Sequence, residues 1–393
     1  MSDNPGVIEM RRKHIVSLVA AVMVFIGAGQ QLLTDRIEAN AQSATQAPKF
    51  VMEPGWLKAP TKWTLGYLSS VSVDQDDHVW ILQRPQGDDL WPLEDRGRMG
   101  PPVMEFDVDG NFLQGWGGPG AGYEWPQREH GIHVDYKGNV WIGGNYCAGR
   151  RYPGRMPVSD DHLLKFTRTG ELLMQIGQRG GSLGNADIKN LALPSDAFVF
   201  PETNEVFVAD GYVNHRIIVF DADTGLFKRM WGAFGNEPLD NIQCPPHRRP
   251  LQPLGEEGTV GPDQLDIVHA AKVSNDGHVY VADRQNNRVQ VFTVKGEYVE
   301  QVFIGRGTPD RRTASSLAFS ADPSQQFLYV AGNQRIAVLD RKTLEVLGTF
   351  GEDGIHHHIT VDSKGNIYSA RLGGGRFAGQ GPGRDLEKWV LQP

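Results

Sequence analysis

Cysteine is almost absent: the 393-residue chain has two, Cys147 and Cys244, too few for a disulfide-framework fold. In an oxidising compartment they could pair. Nothing in the sequence brings their Cα atoms within bonding distance, so they are read as separate loop thiols. Basic clusters interleaved with aromatics are also missing outside the N-terminus, and the formal net charge is −8. That balance argues against a general affinity for nucleic acid. No long helical pattern appears beyond the N-terminal segment, which leaves strands to build the domain. Hydrophobic residues make up 39% and aromatics 9% of the chain, ample material for a globular core.

Before the domain, Arg11, Arg12 and Lys13 precede an apolar run from Ile15 to Gly29, and Ala39-Asn40-Ala41 follows as a small-residue cleavage pattern. These three parts predict an export signal and a periplasmic or extracellular protein. The run is shorter than the roughly 20 residues of a spanning helix. Its distance from the cleavage pattern is long, however, so an uncleaved membrane anchor over residues 15–29 is the alternative. Positive charge before the run keeps the N-terminus inside in either case. Gln42 to Pro48 is rich in Ala, Gln, Ser and Thr and reads as a linker. Residues 1–49 are thus assigned to signal or anchor plus linker, and residues 50–393 to one domain.

That domain repeats. Val71 to Leu82, Ile132 to Gly143, Ala197 to Gly211, Ala271 to Arg284, Leu317 to Gly332 and Ile359 to Arg371 each read as a strand, a polar tight turn and a strand rich in Val, Tyr, Trp and Phe. Alternation and turn chemistry mark each as a hairpin. A further strand pair follows each of the first five, for example Val289 to Phe292 with Tyr298 to Gly305. Four strands per unit in six units predict an all-β, six-bladed β-propeller. The sixth unit ends in only Leu386 to Leu391, so strand material from Phe50 to Leu65 is expected to complete it and close the ring.

Three histidines stand in register in this repeat. His130 precedes the turn glycine Gly138 by the same number of residues that His269 precedes Gly277 and His357 precedes Gly365. The intervening units carry Ser69, Ser195 and Ser315 at that place. One such histidine is ordinarily a hydrogen-bonded residue at a strand terminus. Three on alternate blades point to a shared ion, because three neutral imidazoles with an open fourth position form a catalytic zinc site. Iron, cobalt and copper are compatible with the same donors. Among His356, His357 and His358, only the common offset selects His357. In a propeller the start of a blade's first strand and the end of its second share one face. Arg84, Tyr212 and Arg284 stand at such ends and are expected to converge with the histidines on one mouth of the channel. Bland readings remain for each: inter-blade ion pairs for the arginines and a turn for Tyr212, which follows Asp210-Gly211. His133 is off the ligand phase and reads as structural.

The segments Ala209-Asp210-Gly211-Tyr212-Val213-Asn214-His215-Arg216-Ile217 and Ala282-Asp283-Arg284-Gln285-Asn286-Asn287-Arg288-Val289 look like NHL repeats. From about residue 60 to 371 the chain resembles the peptidyl-α-hydroxyglycine α-amidating lyase family, an NHL-type six-bladed propeller. The resemblance rests on His130-Gly131-Ile132 through Gly138-Asn139, Asp210-Gly211-Tyr212, Ala282-Asp283-Arg284 and the third histidine cluster. It implies that His130, His269 and His357 hold zinc, that Tyr212 is the base, and that Arg84 and Arg284 engage the substrate. It implies a carbon–nitrogen lyase that splits a carbinolamide into an amide and an aldehyde such as glyoxylate. The residue types suit that chemistry: a Lewis acid binds the hydroxyl, a phenolate takes its proton, and guanidinium clamps a carboxylate.

The chain also departs from the family. The resemblance implies a structural calcium held by carbonyls of Val71 and Ile132 and by an aspartate where this chain has His358. A hard cation prefers oxygen, so His358 argues against calcium unless a carboxylate such as Asp353 replaces it. Val213 stands where the family has a cysteine beside the tyrosine. With no copper monooxygenase domain in the chain, the substrate is left as a peptidyl- or N-acyl-α-hydroxyglycine or a related small molecule. Insertions at Gly144 to Asp161 and Asn236 to Gln264 are expected on the mouth face, where substrate choice is made. Two other classes compete: a non-catalytic propeller that binds a protein or peptide, and a lactonase-like propeller hydrolase, which the channel histidines count against. Oligomeric state is left open, since a closed propeller needs no partner to protect its sheet edges.

Overall fold

The computed structural model describes residues 46–85, 99–148, 156–240, 251–309, 311–333, 335–352, 354–372 and 386–393. The export or anchor segment over residues 15–29, Cys244 and Asp353 lie outside the described residues. Ala47 to Pro393 form one compact unit. Its described strands, β1 to β24 in chain order, make six four-stranded sheets. No described helix is long and apolar enough to cross a membrane.

Each sheet is one blade. The first strands are β2 (Tyr67–Val73), β6 (Glu129–Val134), β10 (Asp196–Phe200), β14 (Val268–Val273), β18 (Ser316–Phe319) and β22 (Ile355–Val361). They pack in a ring, β2 on β6, β6 on β10, β10 on β14, β14 on β18, β18 on β22 and β22 back on β2. Closure is made by both ends of the domain. β1 (Phe50–Glu53) pairs antiparallel with β24 (Leu386–Leu391), Phe50 opposite Leu391. The N-terminal strand therefore completes the sixth blade, as its short C-terminal material requires.

Blade stacking explains the unbroken apolar runs of the second strands. In β3 (Val79–Arg84) the side chains of Val79 and Ile81 pack toward the preceding blade, and those of Trp80 and Leu82 toward the next. Successive side chains of a strand face opposite sides, so a sheet covered on both sides needs apolar residues in both phases. The same division recurs in β15 (His278–Asp283), with Val279 and Val281 on one side and Tyr280 and Ala282 on the other. Six apolar clusters among the described residues each fill one interface between successive blades. Full burial of each large side chain contributes about 1.5–3 kcal/mol. The outermost strands, such as Phe112–Trp116, alternate between half-buried and exposed residues.

Two blades carry a buried ionic network at the end of the second strand. Asp210 closes β11 (Glu205–Asp210) and accepts from Arg216 Nε at 2.9 Å, Asn214 Nδ2 at 2.8 Å and the Ala192 amide at 2.7 Å. Asp283 repeats this with Arg288 Nε at 2.7 Å, Asn286 Nδ2 at 2.8 Å and the Asp266 amide at 2.7 Å. Both ion pairs are 0% exposed. Burial pushes the Asp283 carboxyl up, against the pull of Arg288. These networks pin the turns that carry Tyr212 and Arg284. Removing one partner leaves an uncompensated buried charge, so Arg288→Met is expected to cost about 3–5 kcal/mol in urea unfolding. A loss below about 1 kcal/mol, the value of an exposed pair, would show that the pair does not hold the turn.

Candidate metal centre

Three alternate first strands bulge at their histidine. Pairing jumps from Glu129 to Gly131 between β6 and β7 (Val140–Gly144), from Val268 to Ala270 between β14 and β15, and from His356 to His358 between β22 and β23 (Ile367–Leu372). A bulged residue has no opposite number in the ladder and its side chain is re-aimed. His130, His269 and His357 are those residues, and their rings meet with centroids 4.7–4.9 Å apart. β2 bulges in the same way at Ser69.

Each ring is fixed by the next blade round the ring. Nδ1 of His130 lies 2.8 Å from the Ser195 carbonyl oxygen, Nδ1 of His269 2.7 Å from that of Ser315, and Nδ1 of His357 2.6 Å from that of Ser69. A carbonyl oxygen only accepts, so Nδ1 carries the proton and Nε2 keeps its lone pair for the centre. The serines in register with the histidines therefore hold the rings through their backbone, the kind of outer contact that orients a ligating imidazole. Burial is the main cause that keeps all three rings neutral. For His130 and His357 the neighbouring imidazoles act next, and for His269 the Arg284 charge does. Neutral imidazole is the ligating form.

A fourth ring joins them. One nitrogen each from His130, His269, His357 and His358 lie within 4.8 Å of one another, all four residues being buried. His356 stays apart, with Nδ1 2.8 Å from Ser369 Oγ and Nε2 2.9 Å from the Glu352 carbonyl oxygen. Sequence register singled out one of these three adjacent histidines, whereas the structure turns two to the centre. The signal for the second was the residue after each registered histidine: Gly131 and Ala270 offer no donor there, and His358 does.

Tyr212 sits over the cluster. Its hydroxyl oxygen is 2.8 Å from His130 Nε2 and 3.2 Å from His269 Nε2, and Arg284 Nη1 donates to it at 3.2 Å. The Arg284 guanidinium also lies over the Tyr212 ring at 5.3 Å. Gly211 makes this approach possible, because a Cβ there would meet the Val268 carbonyl oxygen at 2.2 Å. Around Tyr212 pack Cys147, Ala192, Leu193, Val213 and Ile267. Cys147 is disulfide-bonded, which corrects the reading of two separate loop thiols. The burial of a loop cysteine against the tyrosine was invisible in the spacing.

Arg84, the last residue of β3, is buried and donates Nε to the Glu129 carbonyl oxygen at 2.7 Å, next to His130. Its charge acts on His130, His269 and His357. The expected six residues thus stand together, and His133 stands outside the cluster with its ring 5.1 Å from Phe198. Asp160 ties the approach to His130 to the insertion after β7, accepting from the Gln127, Arg128 and Tyr146 amides at 2.8, 3.0 and 2.9 Å. Burial pushes its carboxyl up to about 7 despite those bonds. By strand direction the described ends of both insertions lie on this mouth face; residues 149–155 and 241–250 lie outside the described residues.

The donor set fits a borderline ion such as zinc, which imidazole suits. It does not fit calcium. Where oxygen would be needed His358 offers nitrogen, and the leading charge acting on that ring is the Lys272 ammonium, itself paired with Asp196 at 2.8 Å. A second possible group, Asp74, Asp76 and His78, is accounted for by Arg168, which pairs with Asp74 at 3.1 Å and Asp76 at 3.6 Å.

Comparison with known proteins agrees with the fold. Residues 266–292 match the NHL repeat family. The chain is similar to human NHL repeat-containing protein 3, 26% identical over 84% of this chain and 83% of that protein. It is also similar to peptidyl-glycine alpha-amidating monooxygenase B of Xenopus laevis, 28% identical over 63% of this chain but 26% of that protein. A third relative, a probable peptidyl-alpha-hydroxyglycine alpha-amidating lyase of Caenorhabditis elegans, is 25% identical over 42% of this chain and 36% of that protein. The match thus spans only about a quarter of the Xenopus enzyme.

Proposed function

We propose that the imidazole cluster binds zinc and that the protein is an exported lyase, cleaving a peptidyl- or N-acyl-α-hydroxyglycine-like carbinolamide into an amide and glyoxylate or a related aldehyde. The observation that carries this is the join of Tyr212 to the cluster. One hydroxyl oxygen, 2.8 Å and 3.2 Å from Nε2 of two candidate ligands and accepting from Arg284, supports a base beside a bound ion and a substrate hydroxyl held by it. Similarity to amidating monooxygenases and to a probable lyase supports the reaction class.

Bound zinc supplies a Lewis acid for that hydroxyl. Tyr212, as the phenolate, accepts the hydroxyl proton; the carbon–oxygen double bond forms as the carbon–nitrogen bond breaks. The amide nitrogen leaves with the bonding pair and takes the proton back from Tyr212, so one proton is borrowed and returned. Arg284 holds the Tyr212 oxygen and stabilises the negative charge that this oxygen carries before it takes the proton. The buried setting strengthens these charge interactions. Arg84 is assigned to the substrate carboxylate. Its replacement by Met removes a charge-assisted bond of about 1.5–3 kcal/mol. The expected result is a fall of about 10–100-fold in kcat/KM, carried mainly by KM; an unchanged KM would leave Arg84 as an anchor for the Glu129 carbonyl alone.

The disulfide at Cys147 supports an oxidising compartment and hence export. A second reading, a propeller that binds a protein or peptide without catalysis, is favoured by the similarity to NHL repeat-containing protein 3 over most of both chains. Product analysis separates the two. Zinc-loaded full-length protein is incubated with N-benzoyl-α-hydroxyglycine, and benzamide and glyoxylate are expected in equal amounts. Neither product from metal-bearing protein would favour the binding reading.

A further inference from the structure

We infer that His358 is a fourth nitrogen ligand, so that the ion in the channel is held by four imidazoles rather than by three with an open position. This rests on the metal-binding part of the proposed function and not on its reaction.

Three observations converge on it. First, the bulge in β22 lies between His356 and His358, so that strand contributes two consecutive rings to the centre, where β6 and β14 follow their histidine with Gly131 and Ala270. Secondly, the ring of His358 lies against all three others, only a little farther off than they are from each other: its centroid is 4.8 Å from His357, 5.2 Å from His269 and 5.4 Å from His130. Thirdly, His358 is 2% exposed and its Nε2 is buried with no hydrogen-bond partner. A buried ring nitrogen left unpaired costs about 1–3 kcal/mol, a cost that coordination removes. The other three rings have already spent Nδ1 on serine carbonyls, and all four bring one nitrogen within 4.8 Å of the rest.

The chemical consequence is specific. Four neutral nitrogens leave the ion its full charge, suit zinc, cobalt, nickel and copper over oxygen-seeking metals, and close a tetrahedral site. A substrate must then add a fifth ligand or take the place of His358. The family-like three-histidine arrangement would have no such barrier, so this chain's affinity for metal and its readiness to accept substrate are both set at position 358.

The test uses full-length protein loaded with cobalt(II), read by its visible spectrum, by X-ray absorption for the number of nitrogen neighbours, and by competition with a chelator. Wild type, His358→Ala, His358→Phe, which keeps a ring without nitrogens, and His269→Ala are compared after folding is checked by circular dichroism. The expected result is four nitrogens in the wild type and three in both His358 variants, with metal affinity weaker by at least about 10-fold, at the low end of what even outer-contact losses produce. Added imidazole should restore the wild-type spectrum in His358→Ala. Unchanged spectrum and affinity in both His358 variants, with binding lost in His269→Ala, would overturn the inference and leave the three-histidine site standing. Absence of binding in the wild type would overturn both.

Discussion

His269→Ala is expected to abolish metal binding and, with it, glyoxylate release. Its Nε2 faces the centre because its Nδ1 is committed to the Ser315 carbonyl, and β14 offers no second donor, Ala270 being next in the chain. The site has no route to compensate from that side. Loss of the ion removes the Lewis acid from the proposed reaction, so kcat should fall by about 1,000-fold or more, equivalent to about 4 kcal/mol in the barrier. Metal content and product formation are measured on the same preparation. Full metal content in the variant would remove His269 from the ligand set; lost metal with retained turnover would remove the metal from the chemistry.

Tyr212→Phe should separate the base from the metal. The substitution keeps the ring that packs on Cys147, Leu193 and Ile267 and deletes one oxygen, so fold and metal content are expected to stay at wild-type levels. A positioned acid–base group contributes about 100–10,000-fold, and kcat should drop within that range with little change in KM. A drop below about 3-fold, well under that range, would return Tyr212 to the turn-capping role that Asp210-Gly211 suggests.

Architecture was largely legible in the sequence because blade packing writes it twice, once as period-two alternation and once as apolar residues in both phases of the second strands. Val79 to Leu82 and Val279 to Ala282 show the second. The closure by Phe50 to Glu53 followed from counting strands. At the site, the offset to Gly138, Gly277 and Gly365 isolated three histidines because those glycines fix the register, at φ +77°, +77° and +83°. What brings the rings inward could not be read. A bulge is a mismatch between two strands, and neither strand alone records it. His358 escaped for the same reason, since a strand without a bulge would send it to the face opposite His357. The serines in register hold the rings through their backbone carbonyls, a contact that residue type does not reveal. Cys147 was misassigned because loop spacing says nothing about Cα separation.

The most direct measurement of the central claim is glyoxylate release from N-benzoyl-α-hydroxyglycine as zinc is titrated into full-length protein stripped by chelation. The account expects no release at the start, a linear rise, and a plateau at about one equivalent of zinc per chain, the occupancy of a single site. Protein that binds one equivalent and releases nothing above the uncatalysed rate, or that releases glyoxylate equally well without zinc, would contradict it.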